Sequence, residues 1–153
     1  MQTETTRLRE LTIRYSVRKD DEGHPFVVGR TLTTPKAAAA VCMALLEEEP
    51  SEVFAMLCLS TKNRVLAFHE VSRGTLDSAP VHPREVFKAA LLANAAAIIV
   101  CHNHPSGEPS PSPDDIALTH RLVASGELLG IPVLDHVVVG DGRYYSFKEG
   151  GRT

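Results

Sequence analysis

Two histidines and an aspartate in one short segment are residue types that can hold a metal ion. His102 and His104 stand two residues apart where the apolar run AAIIV ends, and Asp115 follows in the segment HNHPSGEPSPSPDD. Side chains two residues apart on a strand point to the same face of a sheet, so both imidazoles face one site. Imidazole is the commonest protein ligand of zinc, and a carboxylate can complete the set. The segment therefore predicts a zinc site.

The end of this segment also predicts the start of a helix. Ser112 is a suitable N-cap and Pro113 a suitable first helical residue, which places Asp115 in the first turn. The letters SPDD would begin a helix well without any metal, since acidic side chains stabilise the positive end of the helix dipole. His-x-His alone and SPDD alone are therefore weak signals. Their combination, joined by a proline-rich loop of low conformational entropy, favours metal binding.

The composition is that of one soluble globular domain. The chain has 153 residues, of which 43% are hydrophobic and 23% charged, and its formal net charge is −3. Nucleic-acid-binding proteins usually carry a basic surface, so this charge does not support nucleic acid as a partner, although it leaves room for a local basic patch. The three cysteines lie in apolar runs without C-x-x-C spacing and are expected to pack as small hydrophobic residues.

The N-terminal segment predicts the cellular location. MQTETTRLRE is polar, without the apolar core of a signal peptide, and no apolar run approaches the length of a membrane span. Free cysteines suit a reducing compartment. We therefore expect a cytoplasmic protein that does not interact with a membrane.

The apolar pattern predicts the elements that position the site. LTIRYSVR (residues 11–18) alternates apolar and polar side chains, which predicts a half-buried strand, and KDDEGHPF predicts a turn after it. We assign residues 1–30, with this strand and turn, to the same domain as residues 31–153. The rest of the pattern predicts three helices, PKAAAAVCMALLEEE, PREVFKAALLANA and PDDIALTHRLVASGELLG. A hairpin of EVFAMLCLS and RVLAFHEVS follows the first helix, the strand AAIIVCHNH follows the second, and a hairpin of IPVLDHVVVG and RYYSF follows the third. This order predicts an α/β domain with a single mixed β-sheet flanked by about three helices.

The segment with the two histidines resembles the JAMM motif of the MPN+ or JAB metalloproteases, His-x-His-Pro-x6-Ser-x-x-Asp. The matching residues are His102, His104, Pro105, Ser112 and Asp115. Two longer blocks resemble the JAB domain of the RadC family in particular, GTLDSAPVHPREVFKAALLANAAAIIVCHNHPSGEPSPSPDDIALTHRL (from residue 74) and LGIPVLDHVVVGDGRYYSF. The likeness extends from about residue 30 to residue 147 and is shared by several independent blocks.

This resemblance implies a JAB/MPN fold, with a layering like that of cytidine deaminases, and zinc as the cofactor. It further implies a catalytic glutamate at the start of the strand after the first helix, where it acts on the water that the metal activates. Glu52 occupies that position, and Glu70, near the end of the paired strand, is the competing residue. Ser112 then has two compatible roles, as the helix cap and as a catalytic hydroxyl that stabilises an oxyanion.

The function implied is a zinc-dependent metallopeptidase or isopeptidase, which cleaves an amide bond in a protein or peptide. The alternative is a DNA-repair-associated RadC-like module that binds DNA or protein. The letters HNH do not indicate an HNH nuclease, because Asn103 faces away from its two histidine neighbours. The helix-hairpin-helix region usual in RadC proteins is not expected either, since about thirty residues precede the match and read as a strand and a turn.

Three further expectations concern residues and surfaces outside the motif. Hairpin edges that are left exposed make a homodimer possible. His82 precedes Pro83 and is suited to cap the second helix. His136, next to Asp135 in a predicted strand, has no role that the sequence assigns.

Overall fold

The two predicted hairpins and the strand between them form one mixed sheet. The computed structural model describes residues 1–74 and 81–153, so the part of the RadC-like block at residues 75–80 lies outside the described residues. The strands are β1 (Val53–Leu59), β2 (Val65–Arg73), β3 (Ala97–Asn103), β4 (Val133–Gly140) and β5 (Arg143–Ser146), and the helices are α1 (Pro35–Leu46), α2 (Pro83–Leu92) and α3 (Pro113–Leu129). The predicted α/β class, with a mixed sheet and three helices, is confirmed.

The order of the strands places β1 and β3 in the middle of the sheet. The order is β2-β1-β3-β4-β5, in which β1 is antiparallel to β2 and β3, and β3 is parallel to β4. Every residue of β1 and β3 is buried, which agrees with their nearly continuous apolar sequences. The C-terminal end of β3, where His102 lies, meets the start of β1, since Phe54 is the partner of His102.

The helices cover the sheet on both faces. Helix α1 packs on one face over a core that includes Ile99 and Cys101 of β3. Helices α2 and α3 cover the other face, over a core that includes Ile98 and Val100. Because side chains alternate along a strand, His102 lies on the face of α2 and α3, as Ile98 and Val100 do.

Each of the three helices begins with a proline, as predicted. The preceding residues, Thr34, His82 and Ser112, are the N-caps, and each side chain accepts a hydrogen bond from a backbone N–H in the first turn. Helix α1 ends at Leu46, earlier than the predicted end before Pro50. The three glutamates that follow Leu46 would place like charges at the negative end of the helix dipole. No helix within the described ranges is long and apolar enough to cross a membrane.

The predicted N-terminal strand is wrong. Residues 11–18 form no β-ladder with any described residue, and the four apolar side chains that alternate there, Leu11, Ile13, Tyr15 and Val17, are 52–77% exposed. Alternation describes a chain with two different faces, but a strand also needs a neighbour that satisfies its backbone groups. The predicted turn does form, closed by the Asp20 carboxylate, which accepts hydrogen bonds from the backbone N–H groups of Glu22 and His24.

Candidate metal centre

Four side chains that could hold a metal ion converge where β3 ends. Each of Glu52, His102, His104 and Asp115 offers one ligand atom, and these atoms lie within 4.8 Å of one another. His102 lies in β3, and His104 directly follows its last residue. Asp115 comes from the first turn of α3, and Glu52 directly precedes β1. The structure thus brings together the three predicted ligands and the predicted catalytic glutamate.

The spacing of the ligand atoms suits a four-coordinate ion. The Nε2 atoms of His102 and His104 are 2.9 Å apart, and Asp115 places Oδ1 3.2 Å from the first and Oδ2 3.1 Å from the second. Glu52 Oε1 lies 3.8 Å from His102 Nε2. Ligands that bind zinc at about 2.0–2.1 Å in a tetrahedron lie roughly 3.3 Å from one another. Small movements would therefore fit the three residues to one ion.

The site is buried on one side and open on the other. The His102 side chain is 2% exposed, those of Asp115 and His104 are 13% and 14% exposed, and that of Glu52 is 35% exposed. A cavity of about 340 Å³ borders Glu52, His102 and Asp115 and extends along α3 to Leu118 and Arg121. A substrate could therefore reach Glu52 while the histidines stay fixed in the protein.

Asp115 and His104 stabilise each other in the charged state. Burial alone would raise the pKa of Asp115, but its close contacts with the rings of His102 and His104 outweigh burial and hold this pKa well below its usual range. The hydrogen bond with Asp115 raises the pKa of His104, against the opposing effect of burial. Without a metal, a proton on His104 thus compensates the carboxylate, and a cation bound between these groups would take over that role.

The helix cap and the proposed ligand are one structure. The Ser112 side chain accepts a hydrogen bond from the backbone N–H of Asp115 at 3.1 Å, and Asp115 Oδ2 accepts one from the backbone N–H of Ser112 at 2.8 Å. This capping box confirms the predicted N-cap. The same bonds orient the carboxylate toward the histidines, so the two readings of SPDD are compatible.

A comparison with known families decides which family has this arrangement. The family described as RadC-like JAB domain has a sequence model that matches residues 32–152 of this chain. The chain belongs to this family. The resemblance noted in the sequence is therefore confirmed for nearly the whole of the sheet and the helices.

Curated relatives of this RadC-like JAB domain are longer proteins. A UPF0758 protein of Methanosarcina acetivorans is 50% identical over 122 residues, which cover 80% of this chain and 53% of that protein. One of Desulforudis audaxviator is 53% identical over 118 residues, covering 77% and 51%, and one of Clostridium beijerinckii is 43% identical over 120 residues, covering 78% and 52%. The chain thus spans about half the length of these relatives.

Asn103 of the RadC-like JAB domain points away from the two histidines, as predicted. Its buried amide accepts a hydrogen bond from the backbone N–H of Val53 at 2.7 Å and donates to the carbonyl oxygens of Ser51 and Glu49, at 2.9 and 3.2 Å. These partners stand on both sides of Glu52. Asn103 therefore fixes the backbone that presents the glutamate to the site.

The choice between Glu52 and Glu70 follows from their surroundings. The Glu70 carboxylate accepts a hydrogen bond from Arg73 at 2.6 Å, and the same guanidinium binds Glu49 at 2.7 Å. Glu70 thus belongs to a surface ion pair outside the group of four. His82, a second marked residue, caps α2, since its Nδ1 accepts a hydrogen bond from the backbone N–H of Arg84.

The sequence missed the partners of His102 in the protein interior. His136 Nε2 lies 2.7 Å from His102 Nδ1, and His136 Nδ1 lies 2.6 Å from the hydroxyl of Thr119. Burial lowers the pKa of His136 well below its usual value. Thr119 stands four residues after Asp115 and so lies on the same face of α3. This spacing was the one signal in the sequence that could have pointed to Thr119. It does not reveal that His136, from β4, lies between Thr119 and His102.

The loop that carries His104 depends on a close approach of two glycines. A Cβ atom at Gly140, the last residue of β4, would lie 2.9 Å from the backbone of Gly107. We expect Gly140→Ala to lower the free energy of unfolding by about 1–3 kcal/mol, because the loop has to move away from the sheet. Urea denaturation would measure this, with Gly29→Ala as the control, since a Cβ there contacts nothing within 4 Å. Equal stability of the two variants would contradict the prediction.

Proposed function

We propose that this RadC-like JAB domain is a zinc-dependent hydrolase that cleaves an amide bond in a protein or peptide. The convergence of Glu52, His102, His104 and Asp115 beside an open cavity is the observation that carries the proposal. Two imidazoles and one carboxylate are the nitrogen and oxygen donors that zinc takes in catalytic sites. This donor set therefore fits the metal that the family resemblance implies.

The metal would be held by His102, His104 and Asp115. When bound, zinc supplies a Lewis acid that polarises the amide carbonyl and makes water acidic enough to attack at neutral pH. The chain's contribution is to hold both imidazole Nε2 atoms and the carboxylate of Asp115 toward one point. Burial of His102 keeps competing water away from that side of the site.

Glu52 is the group that moves the proton. Its carboxylate is the most exposed of the four, and it borders the cavity, where both the attacking water and the amide would lie. Glu52 accepts a proton from water as the new C–O bond forms. It then donates this proton to the amide nitrogen as the C–N bond breaks, so that the carboxylate is restored.

Ser112 has a hydroxyl proton to donate. Its Oγ accepts the hydrogen bond that caps α3, which leaves the hydroxyl hydrogen free for a second partner. In the proposed reaction this hydrogen donates to the oxyanion that develops on the carbonyl oxygen. Because the capping hydrogen bond already holds the Ser112 side chain, the reaction requires no further loss of conformational entropy from it.

The other expectations about partners stay predictions. DNA binding is not favoured by the net charge of −3, and no contact in the described residues adds support for it. A homodimer and a cytoplasmic location also stay predictions. The proposal specifies the bond that is cleaved, an amide in a protein or peptide, and names no particular substrate.

Metal content tests the proposal directly. We expect about one zinc ion per chain in protein purified without added metal, and loss of this zinc in His104→Ala. His120→Ala is the matched control, since His120 is an exposed histidine of α3 outside the group of four. Atomic spectroscopy would measure zinc, with circular dichroism to establish that each variant is folded. A wild-type protein that binds no zinc even on titration would refute the hydrolase.

A further inference from the structure

We infer that His136 and Thr119 are positioning residues that hold His102 in the tautomer a metal ligand needs. They form a directed chain of hydrogen bonds from the ring of His102 to the backbone of Asp115. This inference rests on the proposed zinc site and adds two residues that do not contact the metal. It assigns a task to a buried histidine that the proposed reaction does not otherwise use.

The direction of the chain is set by the hydroxyl of Thr119. Thr119 Oγ1 lies 2.8 Å from the carbonyl oxygen of Asp115 and 2.6 Å from His136 Nδ1. A carbonyl oxygen can only accept, so the single hydroxyl proton is donated to Asp115. The second contact must then run the other way, and His136 Nδ1–H donates to Thr119.

The surroundings of His136 keep it neutral. The ring is fully buried and stacks on Phe147, with ring centres 4.5 Å apart. It also packs edge-to-face against Phe54, with ring centres 5.6 Å apart. A charged imidazolium is unfavourable between these aromatic rings and away from water, so the ring carries a single proton. With its one proton on Nδ1, His136 has a lone pair on Nε2. That lone pair accepts a hydrogen bond from His102 Nδ1–H at 2.7 Å.

The consequence falls on the atom that faces the site. Since His102 carries its proton on Nδ1, its Nε2 has a free lone pair toward His104 and Asp115. His104 Nδ1 lies 2.8 Å from the carbonyl oxygen of Glu108 and must donate to it, so the second proton that His104 holds without a metal is on Nε2, the position that zinc would take. Both imidazoles thus present Nε2, the atom through which each would bind zinc.

The chain also couples two ligands that come from different elements. His102 lies in β3 and Asp115 in α3, and the path through His136 and Thr119 joins the ring of the first to the backbone of the second. Outer partners of this kind fix ligand orientation, and their loss typically weakens metal binding by about 10–100-fold. If Thr119 loses its hydroxyl, His136 is free to move its proton to Nε2, which would place the proton of His102 on the metal-facing nitrogen.

The test compares variants that differ in one hydroxyl. We expect Thr119→Val to lower zinc affinity by about 10–100-fold and to change the visible absorption spectrum of the cobalt-substituted protein, whereas Thr119→Ser restores both. Ser125→Ala is the matched control, because the Ser125 hydroxyl also donates to the carbonyl four residues back in α3, at 2.8 Å, without contacting a histidine. Affinity is measured by competition with a chromogenic chelator.

A measurement on the metal-free wild type keeps the inference separate from folding of the variants. Nitrogen-15 NMR correlations of the imidazole rings near pH 8 should show both His102 and His136 protonated on Nδ1. A proton on Nε2 of His102, or a folded Thr119→Val with wild-type zinc affinity and cobalt spectrum, would overturn the positioning role. If the wild type fails to bind zinc while both rings are protonated on Nδ1, the proposed function is refuted. The hydrogen bonds from His102 to Asp115 would then have a structural role only.

Discussion

Glu52→Gln is expected to lower the rate of amide hydrolysis by about 10²–10⁴-fold while zinc stays bound, the usual effect of removing a general base. The amide of glutamine has nearly the shape of the carboxylate but cannot accept the proton of the attacking water. The three proposed ligands of the metal are not altered by this change, because Glu52 stands on a different segment, with its Oε1 3.8 Å from His102 Nε2. A fall in turnover without loss of zinc would therefore separate proton transfer from metal binding.

The measurement needs a panel of peptide and isopeptide substrates, with each variant assayed on whichever substrate the wild type cleaves. Glu70→Gln is the control, since Glu70 is the other candidate glutamate and is paired with Arg73 away from the site. We expect it to keep nearly the wild-type rate, because an exposed ion pair contributes about 0.2–1 kcal/mol to stability and touches no reacting group. Loss of activity in Glu70→Gln but not in Glu52→Gln would reverse the assignment.

Most of the fold could be predicted from the sequence because helix starts and buried strands depend mainly on residues that are close together in the chain. A proline in the first turn with a capping residue before it depends only on neighbours in the chain, and all three helix starts were found this way. The buried strands β1 and β3 followed from continuous apolar runs. The error at residues 11–18 has the opposite cause, since a ladder requires a partner that the segment itself does not encode.

The residues of the site also fall into those that local sequence signals predict and those that depend on contacts between distant segments. His102, His104 and Asp115 could be found because strand periodicity and a helix cap fix where each side chain points. His136 and Thr119 could not, since their contact depends on the parallel pairing of β3 with β4 and on where α3 crosses the sheet. Glu52 was favoured over Glu70 by its position at the start of the strand after the first helix, and the structure adds an ion pair of Glu70 with Arg73 that the sequence did not reveal.

Asn103 shows how a residue on the opposite face of β3 supports the same site. Its amide makes three hydrogen bonds to the backbone around Glu52, and Val53 N–H has no comparable partner once the amide is removed. A buried backbone group left without a partner costs about 1–3 kcal/mol. The amide is therefore expected to matter both for the stability of the domain and for the position of Glu52.

We expect Asn103→Leu to lower the free energy of unfolding by about 2–5 kcal/mol, a large fraction of the 5–15 kcal/mol typical of a domain. Urea denaturation would measure it, with Ser51→Ala as the control, because only the carbonyl of Ser51 bonds Asn103 and a side-chain change leaves that bond intact. Under conditions where Asn103→Leu is folded, it should still bind zinc, since the ligands lie on the other side of β3, but hydrolyse more slowly because Glu52 is no longer held. A variant as stable and as active as wild type would show that the loop before β1 keeps its shape without the amide. A folded variant that lost zinc would mean that Asn103 supports the histidines rather than the glutamate.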